Sequence, residues 1–438
     1  MNRIKRLCSL VLTAVIVISM LLVPDNGLAH VKAAQGGTIT VSVEKFALGQ
    51  GYLIEPEQMT FTDGENFAQV FDRLMKKHGY TYTYDGKLTS GFYLRSIDHA
   101  DTGKLNIPSC IQQMPGSVNW DGSVVAPPTN TVHTGNVEFP TLGEFAYCNQ
   151  SGWYFFVNNS APNVGFSGIT VKDKDVVRVQ FTVYGLGADL GSGYDGNETS
   201  MALNLPNRDE VTKKMAVINS KKECLANGNW KAAYENAAAV VSNLDSTAAQ
   251  VTAACNSLPT EAQIDTWLSN QAAQKQQESD KAAAQSVMSK IKAIGSISLS
   301  KENKIKEARK AYNALTTAQK AYVTNLKTLT NAEKKLSQLK KYTPKKTTLK
   351  TVKKSGKNKM KLTWKRISGC TGYQIFMSNK KSSGYKKIAT IKKNKTISYT
   401  KTKLKKGKTY YFKVRTYKKV GKTTYYGSDS NVRKLKMK

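Results

Sequence analysis

The residues with the most distinctive chemistry lie between Ser151 and Tyr184, in SGWYFFVNNSAPNVGFSGITVKDKDVVRVQFTVY, and are aromatic and amide rather than acidic or thiol. Two strand-like segments flank a turn region rich in Gly, Pro and Asn. Alternation along a strand places Trp153, Phe155 and Val157 on one side and Tyr154, Phe156 and Asn158 on the other. Both sides are apolar for two positions, so the second one needs a cover, either more protein or a ligand. A helix or loop over the rings is the ordinary outcome, because aromatics are core residues more often than site residues. The alternative makes Trp153, Tyr154, Phe156, Asn158 and Asn159 the border of a surface for a flat or extended ligand. In the second segment, Val177, Val179, Phe181 and Val183 alternate with Arg178, Gln180, Thr182 and Tyr184, the pattern of a sheet with one wet face.

Other chemistry is sparse. Beyond residue 33 the histidines are His78, His99 and His133, in unrelated contexts, and GxSxG, P-loop, HExxH and dinucleotide-loop motifs are absent. Cys148 with His133 as nucleophile and base lacks a catalytic setting, and Asp98 and Asp101 beside His99 read as a solvated loop. No catalytic residue is therefore expected. No cysteine pair has CxxC or Cys/His metal spacing. Cys110–Cys148 and Cys224–Cys255 are possible disulfides outside a cell, with free thiols the alternative, and Cys370 is left over. The oxygen-rich run from Asp189 through Asp195 and Asn197 to Glu198 does not follow the EF-hand order and reads as a turn at a domain exit.

The elements that must position the aromatic segment come first in the chain. Thr38 to Phe46 alternates as a strand, and Tyr52 to Phe61 is extended. Phe67, Val70, Phe71, Leu74 and Met75 then fall at helical spacing, ended by Gly79 after Lys76, Lys77 and His78. Further strands follow, so residues 36–200 are expected to form an α+β layer with the helix on one sheet face. Ile107 to Pro140 is a long loop or insertion placed to rim the aromatic face. Residues 208–258 read as a helical hairpin, 259–284 as a polar linker or helix, and 285–341 as a three-helix module with a Thr316/Gln319 capping box. These helical regions are assigned to spacing, not chemistry. Residues 343–438 are all-β.

Four resemblances follow from these stretches. The order GWxxxVNN, a turn with Pro162, Asn163, Gly165 and Gly168, and then VKDKDVVRVQFT resembles the transcobalamin C-terminal-like domain, over about Thr38 to Gly191. That resemblance implies a compact β-grasp-like fold, and a corrinoid as one possible ligand, although the helical barrel that completes the carrier's site is missing here. WKAAYENAAAVV is similar to FIVAR-type helical modules, and residues 293–336 to three-helix spacers of secreted Gram-positive proteins. Trp364, Tyr373 and the run Leu404-x-x-Gly407-x-x-Tyr410-x-Phe412-x-Val414 resemble a fibronectin type III sandwich, which implies that Tyr410 bonds back to the backbone at a strand corner.

Charge separates these regions. Residues 36–207 carry a net −7, residues 208–341 carry +9 and residues 342–438 carry +30. Arg3, Lys5 and Arg6 precede the apolar run Leu7 to Val23, and Val31-Lys32-Ala33 offers a cleavage site, so residues 1–33 are expected to be a signal peptide, leaving no transmembrane span once removed. An uncleaved anchor is the alternative. The combined expectation is an exported, non-enzymatic surface protein without a cofactor. Its front domain would bind an unknown ligand or partner. Its lysine-rich tail would dock on an anionic cell-wall polymer, without specific recognition of nucleic acid.

Overall fold

The computed structural model describes residues 35–118, 122–129, 133, 137–192 and 202–438, and the expected signal peptide lies outside them. The chain divides into two compact units, Met1–Gln271 and Ala272–Lys438.

The first unit is built on a four-stranded mixed sheet. Strands β1 (Gln35–Glu44) and β2 (Tyr52–Thr62) form an antiparallel pair, helix α1 (Phe67–His78) follows, and β3 (Tyr82–Lys87), β4 (Ser90–Ile97) and β5 (Leu142–Gly143) make a small second sheet. The aromatic segment is β6 (Gly152–Val157), and β7 (Val176–Thr182) runs beside it. Sheet order is β2-β1-β7-β6, with β1 and β7 parallel at the centre. Helix α1 begins with a capping box between Asn66 and Gln69 and ends at Gly79, whose positive φ of 74° suits a residue without a Cβ. Its apolar stripe of Phe67, Val70, Phe71 and Leu74 is buried against the face that carries Val41, Val43, Phe155, Val179 and Phe181.

The opposite face departs from the expected wet surface. Every residue of β7 is buried, Arg178, Gln180 and Thr182 included. Helix α2 (Asp209–Ser220) packs across β2, β1 and β7, and with α3 (Gly228–Ser242) and α4 (Ala248–Ser257) it joins the same hydrophobic cluster as the sheet. The region read as a separate hairpin is thus the third layer of the front domain. Alternation alone cannot distinguish solvent from a helix contributed later in the chain. Tyr184, also expected on the wet side, is buried, with its hydroxyl 2.8 Å from the carbonyl oxygens of both Pro115 and Val125 in the Ile107–Pro140 insertion.

Helix α5 (Glu261–Lys292) resolves the linker alternatives in favour of one continuous helix. Its early positions Ile264 and Trp267 belong to the first unit's core, and Ala284, Val287 and Ile291 to a second core with α6 (Glu302–Asn313), α7 (Thr317–Ala321) and α8 (Leu326–Tyr342). The Thr316/Gln319 capping box forms as expected.

The tail is a β-sandwich. One sheet holds β8 (Leu349–Gly356), β9 (Lys359–Trp364) and β12 (Ser398–Lys401). The other runs β11 (Lys386–Ile391), β10 (Gly372–Ser378), β13 (Thr409–Val420), β14 (Thr423–Asp429), with β15 (Arg433–Lys436) also paired to β13. Trp364, Tyr373, Ile375, Phe412 and Val414 fill the space between them. All five described cysteines are free thiols, so neither candidate disulfide is present. Cys110 lies beside Asp245, and Cys148 donates to the Val183 carbonyl at 3.2 Å.

Candidate functional site

The five residues singled out on and after β6 divide into core, edge and turn. Trp153 is buried, donates from Nε1 to the Leu142 carbonyl at 2.9 Å and meets Phe181 edge-on at 5.3 Å. These partners fix both its apolar body and its polar handle, as expected of a structural tryptophan. Phe156 is only 6% exposed. Tyr154 is half-buried: its hydroxyl accepts from Ser192 Oγ at 3.4 Å, and its ring lies against Gly187.

Asn158 and Asn159 are exposed and adopt left-handed φ values of 50° and 60°. Asn158 is a turn residue. Its Nδ2 donates to Asp175 Oδ1 at 2.8 Å and its Oδ1 accepts from the Val176 N–H at 3.0 Å, which ties the end of β6 to the start of β7. The structure therefore brings Tyr154 and Phe156 together, with ring centroids 6.3 Å apart, and places Trp153 on the opposite side of the strand.

Sequence reading missed two buried polar groupings. Beneath α2, the Arg178 guanidinium donates to both Glu44 carboxylate oxygens, at 3.0 and 2.8 Å, and Ser42 Oγ adds a third donor at 2.6 Å. Burial works against the Arg178 charge, but Glu44 outweighs it and the net shift is upward. The second grouping lies at the β1–β2 turn. Buried Lys45 donates to the Ala100 carbonyl at 2.7 Å and to Gln50 Oε1 at 3.3 Å, while Asp101 accepts from Gln50 Nε2 at 2.8 Å and from the Tyr147 hydroxyl. Burial lowers the Lys45 pKa. His133 Nε2 stands 3.9 Å from Asp101, and the Cys148 thiol donates to the Val183 carbonyl. The Asp101 partners join the β1–β2 turn to the later loop, across 51 residues of sequence between Gln50 and Asp101.

At the expected domain exit, Asp189 is fully buried. It accepts from Thr182 Oγ1 and from the backbone N–H groups of Val183 and Tyr184. Burial pushes its carboxyl up to about 7, against the downward pull of those three donors. These contacts make Asp189 a local staple, and Asp195, Asn197 and Glu198 lie outside the described residues. Among the described residues no group of three or more His, Cys, Asp or Glu side chains is placed to hold a metal ion, and no helix is long and apolar enough to cross a membrane.

The tail has a different character. Its Tyr410 hydroxyl accepts from the Lys405 N–H at 3.0 Å, the strand-corner bond that the resemblance implied. Asp429 is the only carboxylate side chain in residues 342–438 and pairs with Lys413 at 2.6 Å. Residues 344–431 match the family model described as "Fibronectin type III domain". These residues are a fibronectin type III domain. Solved structures similar to this part include a human fibronectin type III domain at 17% identity, covering 21% of this chain and 72% of that one with a TM-score of 0.18. Another is an Fn3-like protein from Clostridium thermocellum at 24% identity, covering 21% of this chain and 90% of that one with a TM-score of 0.17. A beta-1,2-glucanase from Parabacteroides distasonis is 18% identical over 22% of this chain and only 12% of its own, with a TM-score of 0.18. No curated protein matches the chain. The fibronectin type III domain thus presents the usual aromatic core beneath a surface dominated by lysine.

Proposed function

We propose that this is an exported, non-enzymatic binding protein of a cell surface, held there by its fibronectin type III domain, which docks on an anionic wall polymer. One observation carries the reading: residues 342–438 hold 31 Lys and Arg against one acid, and that acid is already paired. Self-repulsion on this scale disfavours a compact domain unless anions gather around it. Each lysine near a strongly anionic surface contributes about 1 kcal/mol, fading over a Debye length of about 8 Å at physiological salt. A few simultaneous contacts then hold the protein without a covalent anchor.

The front domain, on this reading, faces the ligand or partner. Its strand order β2-β1-β7-β6, with parallel central strands and α1 following β2, supports the β-grasp-like assignment and the likeness to the transcobalamin C-terminal-like domain. Half-buried Tyr154 and exposed Asn158 and Asn159 are the accessible part of the ligand border. Deletion of residues 343–438 tests the docking: the shortened protein should appear in the medium, whereas the full chain sediments with cells and elutes as salt is raised. Retention of the shortened protein, or indifference of the full chain to molar salt, sinks the reading.

A further inference from the structure

We propose that docking is end-on: the pole of the fibronectin type III domain opposite α8 is the surface that takes the wall polymer, and that polymer is a phosphodiester chain. The proposal rests on the docking reading above and names which part of the domain binds and what it binds.

Three turns build the pole. The β8–β9 turn carries Lys357 and Lys359, the β10–β11 turn Lys380 and Lys381, and the β12–β13 turn Lys403, Lys405, Lys406 and Lys408. Hydrogen bonds draw the turns together. The Leu404 N–H donates to the Asn358 carbonyl at 3.1 Å, and Asn379 Nδ2 donates at 3.1 Å to the carbonyl of Thr409, the first residue of β13. The turns are also pinned within themselves. Leu404 is buried beside the Lys405–Tyr410 corner bond, and Ser378 Oγ donates to the Ser383 carbonyl at 2.6 Å and accepts from the Lys380 N–H at 2.9 Å. All eight lysines are exposed, and among the described residues none uses its ammonium group in a hydrogen bond or ion pair.

Two separations set this pole apart. Lys413, the partner of Asp429, stands four residues along β13 from Thr409, about 13 Å at the rise of an extended strand. That exceeds a Debye length of about 8 Å, so the sole acidic side chain of the tail does not offset the field at the pole. The other end is occupied by the connection to α8. There the Tyr342 ring lies 5.2 Å from Tyr425, Thr416 Oγ1 donates to the Lys345 carbonyl at 3.0 Å, and Gly427 leaves no room for a Cβ beside the Pro344 carbonyl. Thr416 is seven residues along β13 from Thr409, about 24 Å. A polymer on the pole therefore meets free ammonium groups well away from the α8 junction.

The composition of the turns selects the ligand. Eight lysines and no arginine present compact point charges rather than forks, so recognition follows charge density and not one fixed geometry. Pinned backbones bearing solvated lysines suit a flexible chain of repeated phosphates. Tyr385 is the only ring in the three turns; Lys413 lies 4.4 Å from its centre and its hydroxyl donates to the Lys381 carbonyl at 2.8 Å, so it is no open platform for a nucleobase. The exposed large hydrophobic residues of the tail, Ile397, Tyr426 and Val432, lie outside the turns, which leaves nothing there to enter a lipid bilayer.

The test compares full-length protein sedimenting with purified Gram-positive wall sacculi, untreated or stripped of phosphate polymers by hydrofluoric acid. Three triple variants remove the same charge. K405Q/K406Q/K408Q and K357Q/K380Q/K381Q act on different turns of the pole, so one remains informative should the other misfold. K392Q/K393Q/K395Q acts on the exposed β11–β12 turn at the α8 end, where the Asn394 carbonyl accepts from Tyr373, the residue paired with Thr416. Each folded pole variant should weaken retention by about tenfold or more and flatten its dependence on salt, and the third should weaken it by about twofold or less. Losses at the pole no larger than the loss at the other end overturn the pole while leaving docking intact. Undiminished binding to stripped sacculi overturns the phosphodiester ligand. Sedimentation with vesicles of equal parts phosphatidylglycerol and phosphatidylcholine as strong as with sacculi overturns the wall polymer in favour of a membrane. Competition by an oligothymidylate as strong as that by released wall polymer overturns it in favour of nucleic acid. Failure of the unmodified protein to bind any sacculi overturns the docking reading itself.

Discussion

Removal of Glu44 is the sharpest probe of how the front domain is assembled. Glu44 is 0% exposed and holds three donors: two from the Arg178 guanidinium and one from Ser42 Oγ. Glu44→Ala leaves the Arg178 cation buried under α2 without its counter-charge. Deleting one partner of a buried pair typically costs about 3–5 kcal/mol, whereas an exposed pair is worth about 0–1 kcal/mol. The structure places this variant in the first class, and Arg178→Met should fall there too because it strands the carboxylate. The combined Glu44→Leu/Arg178→Met change removes both charges into apolar side chains and should recover most of the loss, since isosteric apolar replacement of a buried pair is often neutral. Urea unfolding of the full chain, read by hydrogen exchange in peptides from β1 and β7, isolates the front domain from the other modules. A loss below about 1 kcal/mol in Glu44→Ala would refute the burial of this face and the packing of α2 upon it.

Phe156→Ala should cost about 3–5 kcal/mol because its ring lies inside the core cluster, whereas Tyr154→Ala should cost less and weaken ligand capture; thermal melting of both variants checks the order, and a reversal contradicts the placement of the two rings. The pH dependence of Asp189 gives a separate test. Its folded pKa of about 7 lies above the unfolded value of about 3.9, so the folded state binds the proton more tightly. That stabilisation is complete below about pH 4 and is lost as pH rises towards 7. Relative to Asp189→Asn, the unmodified protein should therefore lose up to roughly 4 kcal/mol between those limits. A constant or widening advantage over that range would mean that the three donors keep Asp189 ionised.

Much of the architecture was legible in local sequence because its causes are local. The period of Phe67, Val70, Phe71 and Leu74, with Asn66 and Gly79 at the ends, specifies a capped amphipathic helix within a dozen residues. The Thr316/Gln319 box and the inward alternation of Tyr410, Phe412 and Val414 are of the same kind. The charge of the tail is purely compositional and needs no fold to be counted.

What lies over a face is decided elsewhere in the chain. Periodicity shows that Arg178, Gln180 and Thr182 share a side; it cannot show that α2, beginning at Asp209, covers that side. Arg178 reads as solvated until Glu44, 134 residues earlier, is brought within hydrogen-bonding distance through the parallel pairing of β1 and β7. The same limit applies to the aromatic segment, where only packing separates buried Phe156 from half-buried Tyr154. It applies again to the tail, where strand register turns Phe376, Lys413, Arg415 and Tyr426 into one continuous surface. Sequence determined which residues each element turns to the same side. Tertiary structure alone decided what each side meets, because burial depends on contacts between segments whose separation along the chain carries no periodic signal.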